Sequence, residues 1–131
     1  MVRTLRSRVK IDPVTVEPVK MGDALYIATD DGKVGLAQGD VGVGKYPCIG
    51  LAATSAASGT NVEVVVGGLF SSPAYDFSGY VGKLAYLDPS TAGGVTPVEP
   101  SLSGQVKQRL GFIVNYSTLL VHIEPECEEL T

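Results

Sequence analysis

The chain has no tryptophan, one histidine, two cysteines and two methionines in 131 residues, and only 18% of its residues are charged. One histidine and two isolated cysteines cannot assemble the three or four donors of a zinc site. Two cysteines are also too few for the disulfide framework of a small secreted domain. Cys48 sits between Pro47 and Ile49 and reads as a small buried residue. Cys127 lies among glutamates, which raise a thiol pKa and quench its reactivity. Both are read as free thiols. A Ser-His-Asp or Cys-His arrangement can be drawn around His122 only with arbitrary partners, and alternation in Leu120-Val121-His122-Ile123-Glu124 places it on a surface or edge strand. No apolar run approaches the roughly 18 residues that cross a bilayer. The basic start, Met1-Val2-Arg3-Thr4-Leu5-Arg6-Ser7-Arg8-Val9-Lys10, lacks the apolar core of a signal peptide. The expectation is a protein made in a cytoplasm, with no membrane partner.

The net charge of -4 argues against a general nucleic-acid binder. Gly39-Asp40-Val41-Gly42-Val43-Gly44-Lys45 matches the first part of a phosphate-binding P-loop. Tyr46 replaces the hydroxyl residue that holds magnesium, and Pro47 removes a donor where the phosphate-cradling helix must run. A glycine-rich hairpin loop is the better reading. Asp30-Asp31-Gly32 lacks the later ligands of a calcium loop and reads as a hairpin turn. Glu126, Glu128 and Glu129 read as a solvated tail. The expectations are no cofactor, no metal and no enzymatic activity.

What is present is strand grammar. Apolar residues make up 44%, and Gly 16 and Pro 8 punctuate the chain at intervals, as in a protein of many short strands and tight turns. Leu5, Ser7, Val9 and Ile11 alternate with Arg6, Arg8 and Lys10, giving one apolar-leaning and one cationic face at period two. Strands are expected over residues 25–28, 34–37, 48–53, 62–66, 84–87, 106–116 and 119–123, with a turn at Asp30-Asp31-Gly32-Lys33 making the first two a hairpin. Residues 67–79 read as a loop. The one helical alternative, residues 101–108, is weakened by Gly104. The aromatics Phe70, Tyr75, Phe77 and Tyr80 read as a packed loop or subunit interface, with a sugar-stacking platform as the alternative.

The chain also echoes itself. Met21-Gly22-Asp23-Ala24-Leu25-Tyr26-Ile27 matches Val81-Gly82-Lys83-Leu84-Ala85-Tyr86-Leu87, and Cys48-Ile49-Gly50-Leu51-Ala52 matches Arg109-Leu110-Gly111-Phe112-Ile113. The expectation is an all-β, compact barrel-like domain of two similar β units sharing one core. Its parts are a basic arm over residues 1–18, the domain over 19–125 (echo 20–67 and 80–125) and an acidic tail over 126–131.

The phrases Val19-Lys20-Met21-Gly22-Asp23-Ala24-Leu25-Tyr26-Ile27, Asp31-Gly32-Lys33-Val34 and Ile49-Gly50-Leu51-Ala52 are similar to small capsid decoration, or cement, and head-fibre proteins of tailed bacteriophages. So are Leu84-Ala85-Tyr86-Leu87-Asp88-Pro89-Ser90-Thr91-Ala92-Gly93-Gly94-Val95-Thr96 and Gln108-Arg109-Leu110-Gly111-Phe112-Ile113. The resemblance spans about residues 20–125 and rests on turn-and-strand wording. It implies a β-barrel or β-tulip-like domain, a homotrimer, the major capsid protein as partner and a place on the outer capsid surface of the virion after synthesis in the host cytoplasm. The role implied is stabilisation of the shell. The arm residues Arg3, Leu5, Arg6, Arg8, Val9, Lys10 and Ile11 would contact the capsid or a neighbouring subunit. The alternative is a tail or fibre module that binds host carbohydrate through residues 70–80.

Overall fold

Thr29, Asp31, Gly32 and Lys33 make the first hairpin turn. The Thr29 hydroxyl donates to the Asp31 carboxylate and accepts the Lys33 amide at 3.0 Å, and Gly32 takes a φ of 87°. Such local punctuation divides the chain into short strands. The computed structural model describes residues 8–131, with side chains from Lys10 onward. Strands account for 42% of the chain, with no helix among the described residues. They are β1 (Arg8–Ile11), β2 (Ala24–Ile27), β3 (Val34–Leu36), β4 (Cys48–Ala52), β5 (Val64–Ser71), β6 (Leu84–Leu87), β7 (Val95–Thr96), β8 (Val106–Lys107), β9 (Arg109–Asn115), β10 (Thr118–His122) and β11 (Glu128–Glu129).

Nine strands form one antiparallel sheet that curls into a half-barrel, in the order β3-β2-β4-β5-β10-β9-β6-β7, with β1 added to β5. Strands β8 and β11 form a separate ribbon. The order reads alike from both ends, because β3-β2-β4-β5 mirrors β7-β6-β9-β10. The registers agree residue by residue. Ala24 pairs with Leu51 as Leu84 pairs with Phe112, and Leu51 pairs with Val65 as Phe112 pairs with Leu120. A bulge falls between Leu25 and Tyr26 in one unit and between Ala85 and Tyr86 in the other. The domain is thus two similar β units.

Glycine is required at the bulges because the neighbouring strand comes too close for a side chain. A Cβ on Gly50 would lie 2.5 Å from Val64 Cγ1 and 2.7 Å from the Val65 carbonyl oxygen, and one on Gly111 would lie on top of the Leu120 carbonyl oxygen. Paired Gly50 and Gly111 are therefore a steric demand made twice by the same geometry.

The main core takes opposite faces of the two units. From the first it takes Ala24, Leu51 and Val65; from the second, Ala85, Ile113 and Leu119. The other face of the first unit carries Leu25, Val34, Ala52 and Val64, which pack with Val19 and Val62 in a second, smaller core. The segments that bring Val19 and Val62 there are held by backbone bonds from Thr15 N to Thr60 O, from Val19 N to Ala56 O and from Val62 N to Pro13 O.

Three segments differ from the sequence expectation. Strand β5 continues through Gly67 and Gly68 to Ser71, because the β1 and β10 backbones pair with both glycines and supply order that their own propensity lacks. Residues 106–116 divide into β8 and β9 at Gln108, whose side chain is turned inward and is 1% exposed. Residues 101–108 contain a turn and β8 rather than a helix, since Gln105 Oε1 accepts the Ser101 and Leu102 amides and closes a tight loop.

Gln108 joins the two units. Its Oε1 accepts the Cys48 amide at 2.8 Å, and its Nε2 donates to the Cys48 carbonyl at 2.8 Å and the Glu124 carbonyl at 2.7 Å. The side chain thereby acts as one rung of a β-ladder. At the sheet's edge, Glu17 does similar work, accepting the Leu36 amide at 3.0 Å, while Val16 N donates to Val34 O.

Gly111→Ala is expected to cost more than about 3 kcal/mol, because its clash is with backbone. Gly59→Ala, in open space at a φ of 80°, is expected to cost only about 1–2 kcal/mol. Gln108→Leu leaves the Cys48 amide and two carbonyls without this partner and is expected to cost about 3 kcal/mol or more. Urea denaturation followed by circular dichroism measures all three.

Candidate interaction surface

Of the basic arm residues, Arg3, Leu5 and Arg6 lie outside the described residues. Arg8, Val9, Lys10 and Ile11 form β1, which runs antiparallel along β5 with Arg8 opposite Gly68 and Ile11 opposite Val64. Lys10 Nζ meets Glu63 Oε1 at 2.5 Å, and Ile11 is 44% exposed. The described part of the arm is therefore built into the chain's own sheet.

The P-loop-like segment forms no phosphate cradle, because its amides are already engaged. Gly39 N donates to Asp88 O, Val41 N to Gly104 O, and Val43 N and Gly44 N to Asp40 O; Gly42 N donates to Asp40 Oδ1. Tyr46 and Pro47, joined by a cis peptide, follow where a helix would have to start. Burial pushes the Cys48 thiol up to about 12, and its Sγ lies 3.2 Å from Gly50 O. Burial and the Glu129 carboxylate also raise the Cys127 thiol. His122 is exposed on β10, and the described residues contain no metal-binding group of His, Cys, Asp or Glu side chains. The acidic tail is more than solvated chain. Glu128 and Glu129 pair with Lys107 and Val106, Lys107 Nζ lies 3.5 Å from Glu128, and the Tyr46 hydroxyl donates to Glu129.

The aromatic segment points inward. Phe70, Tyr75 and Phe77 are buried, with Phe70 and Tyr75 edge-to-face at 6.0 Å and Tyr75 and Phe77 tilted at 5.1 Å. The Tyr75 hydroxyl donates to Gly22 O at 2.8 Å, which satisfies it in the interior. Tyr80, 40% exposed, is the member of the set with substantial surface. Three of the four rings are thus packed in the core and present no face to a sugar.

A different surface emerges on the second unit. Leu69 pairs with Leu120, Leu120 with Phe112, and Phe112 with Leu84, so four apolar side chains cross β5, β10, β9 and β6 in one row. Leu69, Leu120 and Phe112 are 46%, 44% and 52% exposed, and Val114 beside them is exposed too. At one end, Leu84, Phe112 and Gly111 line a shallow groove of about 260 Å³ with Arg109, His122 and Glu124. At the other, Ser71 and Thr118 share a hydrogen bond at 2.6 Å. Sequence reasoning missed this row. The available sign was in Leu119-Leu120-Val121, where alternation fails and both strand faces are apolar.

No family model matches this chain, and no curated protein is significantly similar to it in sequence.

Burial raises the Cys48 thiol and keeps it protonated and out of reach of solvent at pH 7. Iodoacetamide is expected to leave Cys48 unmodified in the folded protein and to modify it fully in denaturant. Intact and peptide mass spectrometry reads both states.

Proposed function

We propose that this chain is a structural virion protein that binds the outer surface of a phage capsid and stabilises the shell. The observation that carries the reading is the attachment of the basic arm. Strand β1 is paired along β5, and β5 is also paired to β4 and β10. Tension along β1 loads its ladder bonds together in shear and passes directly into the central sheet. A protein that reinforces a shell needs such a mechanical path from its contact segment into a stiff body. The acidic tail is likewise tied to the body through β8, Lys107 and Tyr46. The resemblance over residues 20–125 supports the same reading.

In this function Arg3, Arg6 and Arg8 supply charge to an acidic patch of the major capsid protein, and no chemical step is involved. Exposed charge contacts of this kind weaken as salt rises.

Cosedimentation with expanded, undecorated heads tests the reading. Saturable binding at a fixed ratio to shell subunits is expected, with affinity falling at least tenfold between low and high salt. Removing residues 1–7 is expected to weaken binding about as strongly while leaving the thermal midpoint unchanged. Absence of binding by folded protein to intact heads overturns the function, and unchanged binding after the deletion overturns the role of the arm.

A further inference from the structure

The two β units match in register but not in burial. In the first, Ala24, Leu51 and Val65 occupy one face and are fully buried in the main core. Their counterparts in the second unit are Leu84, Phe112 and Leu120, which pair in the same way but look outward. The other face of the first unit is covered by the segments carrying Val19 and Val62, and the corresponding face of the second is turned into the main core. Among the described residues, the first unit is therefore covered on both faces and the second on one. The uncovered row is also apolar throughout, and larger than its buried counterpart: Leu for Ala, Phe for Leu and Leu for Val.

We propose that this row is the contact through which a second copy of the chain docks, face to face and about a twofold axis. Three observations select that occupant. First, within the chain the matching row is already covered by β-sheet, the sheet of the sister unit, so this geometry accepts a sheet face at the usual separation of about 10 Å. Second, the rim is self-complementary in charge. Arg109 and Glu124 line the same groove beside Phe112. A twofold axis sets the Arg109 of each copy toward the Glu124 of the other, so one pair of residues makes two opposite-charge contacts. Third, the size is appropriate. The half-exposed side chains Leu69, Phe112, Val114 and Leu120, with the partly buried Leu84, form a contiguous apolar patch on the scale of a functional surface patch, roughly 300–600 Å². Together with the polar rim of Ser71, Thr118, His122, Arg109 and Glu124, it approaches the roughly 600 Å² per partner at the lower limit of specific interfaces. That is the size of the smaller specific interfaces.

The inference concerns self-association and does not depend on shell binding. Sedimentation velocity and light scattering of the full chain, from about 1 to about 200 µM, test it. The expected result is a reversible dimer whose dissociation constant rises at least tenfold in Leu120→Glu and in Phe112→Glu, while Leu102→Glu, at an exposed apolar residue away from the row, leaves it unchanged. Arg109→Glu is expected to weaken the dimer, and Arg109→Glu with Glu124→Arg to restore it. If a glutamate variant loses its β-sheet circular dichroism, Leu69→Gln reads the same row. A wild-type chain that is monomeric up to about 200 µM, or that forms the homotrimer the resemblance implies, overturns the proposal, as does a dimer that the folded row variants leave intact. A monomer whose shell binding is lost in Leu120→Glu also overturns it and assigns the row to the capsid.

Discussion

The two units, joined by the β5–β10 ladder and a shared core, are further tied by the side-chain amide of Gln108. The position that precedes the bulged strand is Pro47 in the first unit and Gln108 in the second, so here the repetition is broken. Proline offers no donor, whereas glutamine reaches back to the first unit and bonds both the amide and the carbonyl of Cys48. Its remaining donor fixes the Glu124 carbonyl beyond β10. A buried amide is costly unless every polar atom is satisfied, and in this one Oε1 and Nε2 are both engaged. The arrangement ties Cys48 of the first unit and Glu124 beyond β10 to one side chain, so a shift of either unit breaks at least one of its bonds.

From that junction follows the unequal burial of the two units. A strict twofold between them would present equivalent faces to the shared core. Instead the main core receives one face from the first unit and the opposite face from the second. The chain closes the first unit's remaining face with its own residues, through Val19 and Val62, and among the described residues no corresponding segment lies over the second. Repetition of sequence thus yields quasi-repetition of structure, with one surface left over.

Much of the fold was legible because its elements are local. The hairpin of β2 and β3 follows from Asp30-Asp31-Gly32-Lys33, and β4, β6 and β10 from short β-branched or leucine-rich runs between turn residues. The matching phrases around Tyr26 and Tyr86, and around Gly50 and Gly111, were legible because an identical bulge imposes identical demands. Non-local order was not legible. Gly67 and Gly68 look like loop residues and become strand only because β1 and β10 flank them. Glu128 and Glu129 look like free tail until β8 offers them an edge. Phe70, Tyr75 and Phe77, in a serine-, glycine- and proline-rich stretch, read as a packed loop or a subunit interface, and the fold puts them in the main core. The exposed row escaped notice for a similar reason. An apolar residue on a strand shows that some face is covered, and which face depends on how the sister unit docks.

Both ends of the long sheet are blunted. At β3 the Glu17 carboxylate occupies the Leu36 amide and residues 14–16 lie alongside, while β7 is two residues long and is followed by Pro97 and Pro100. An open edge would be a template on which further chains add strand by strand. With these donors occupied or missing, neither end of the β3-to-β7 path offers a full row of free backbone donors on which a further strand could add.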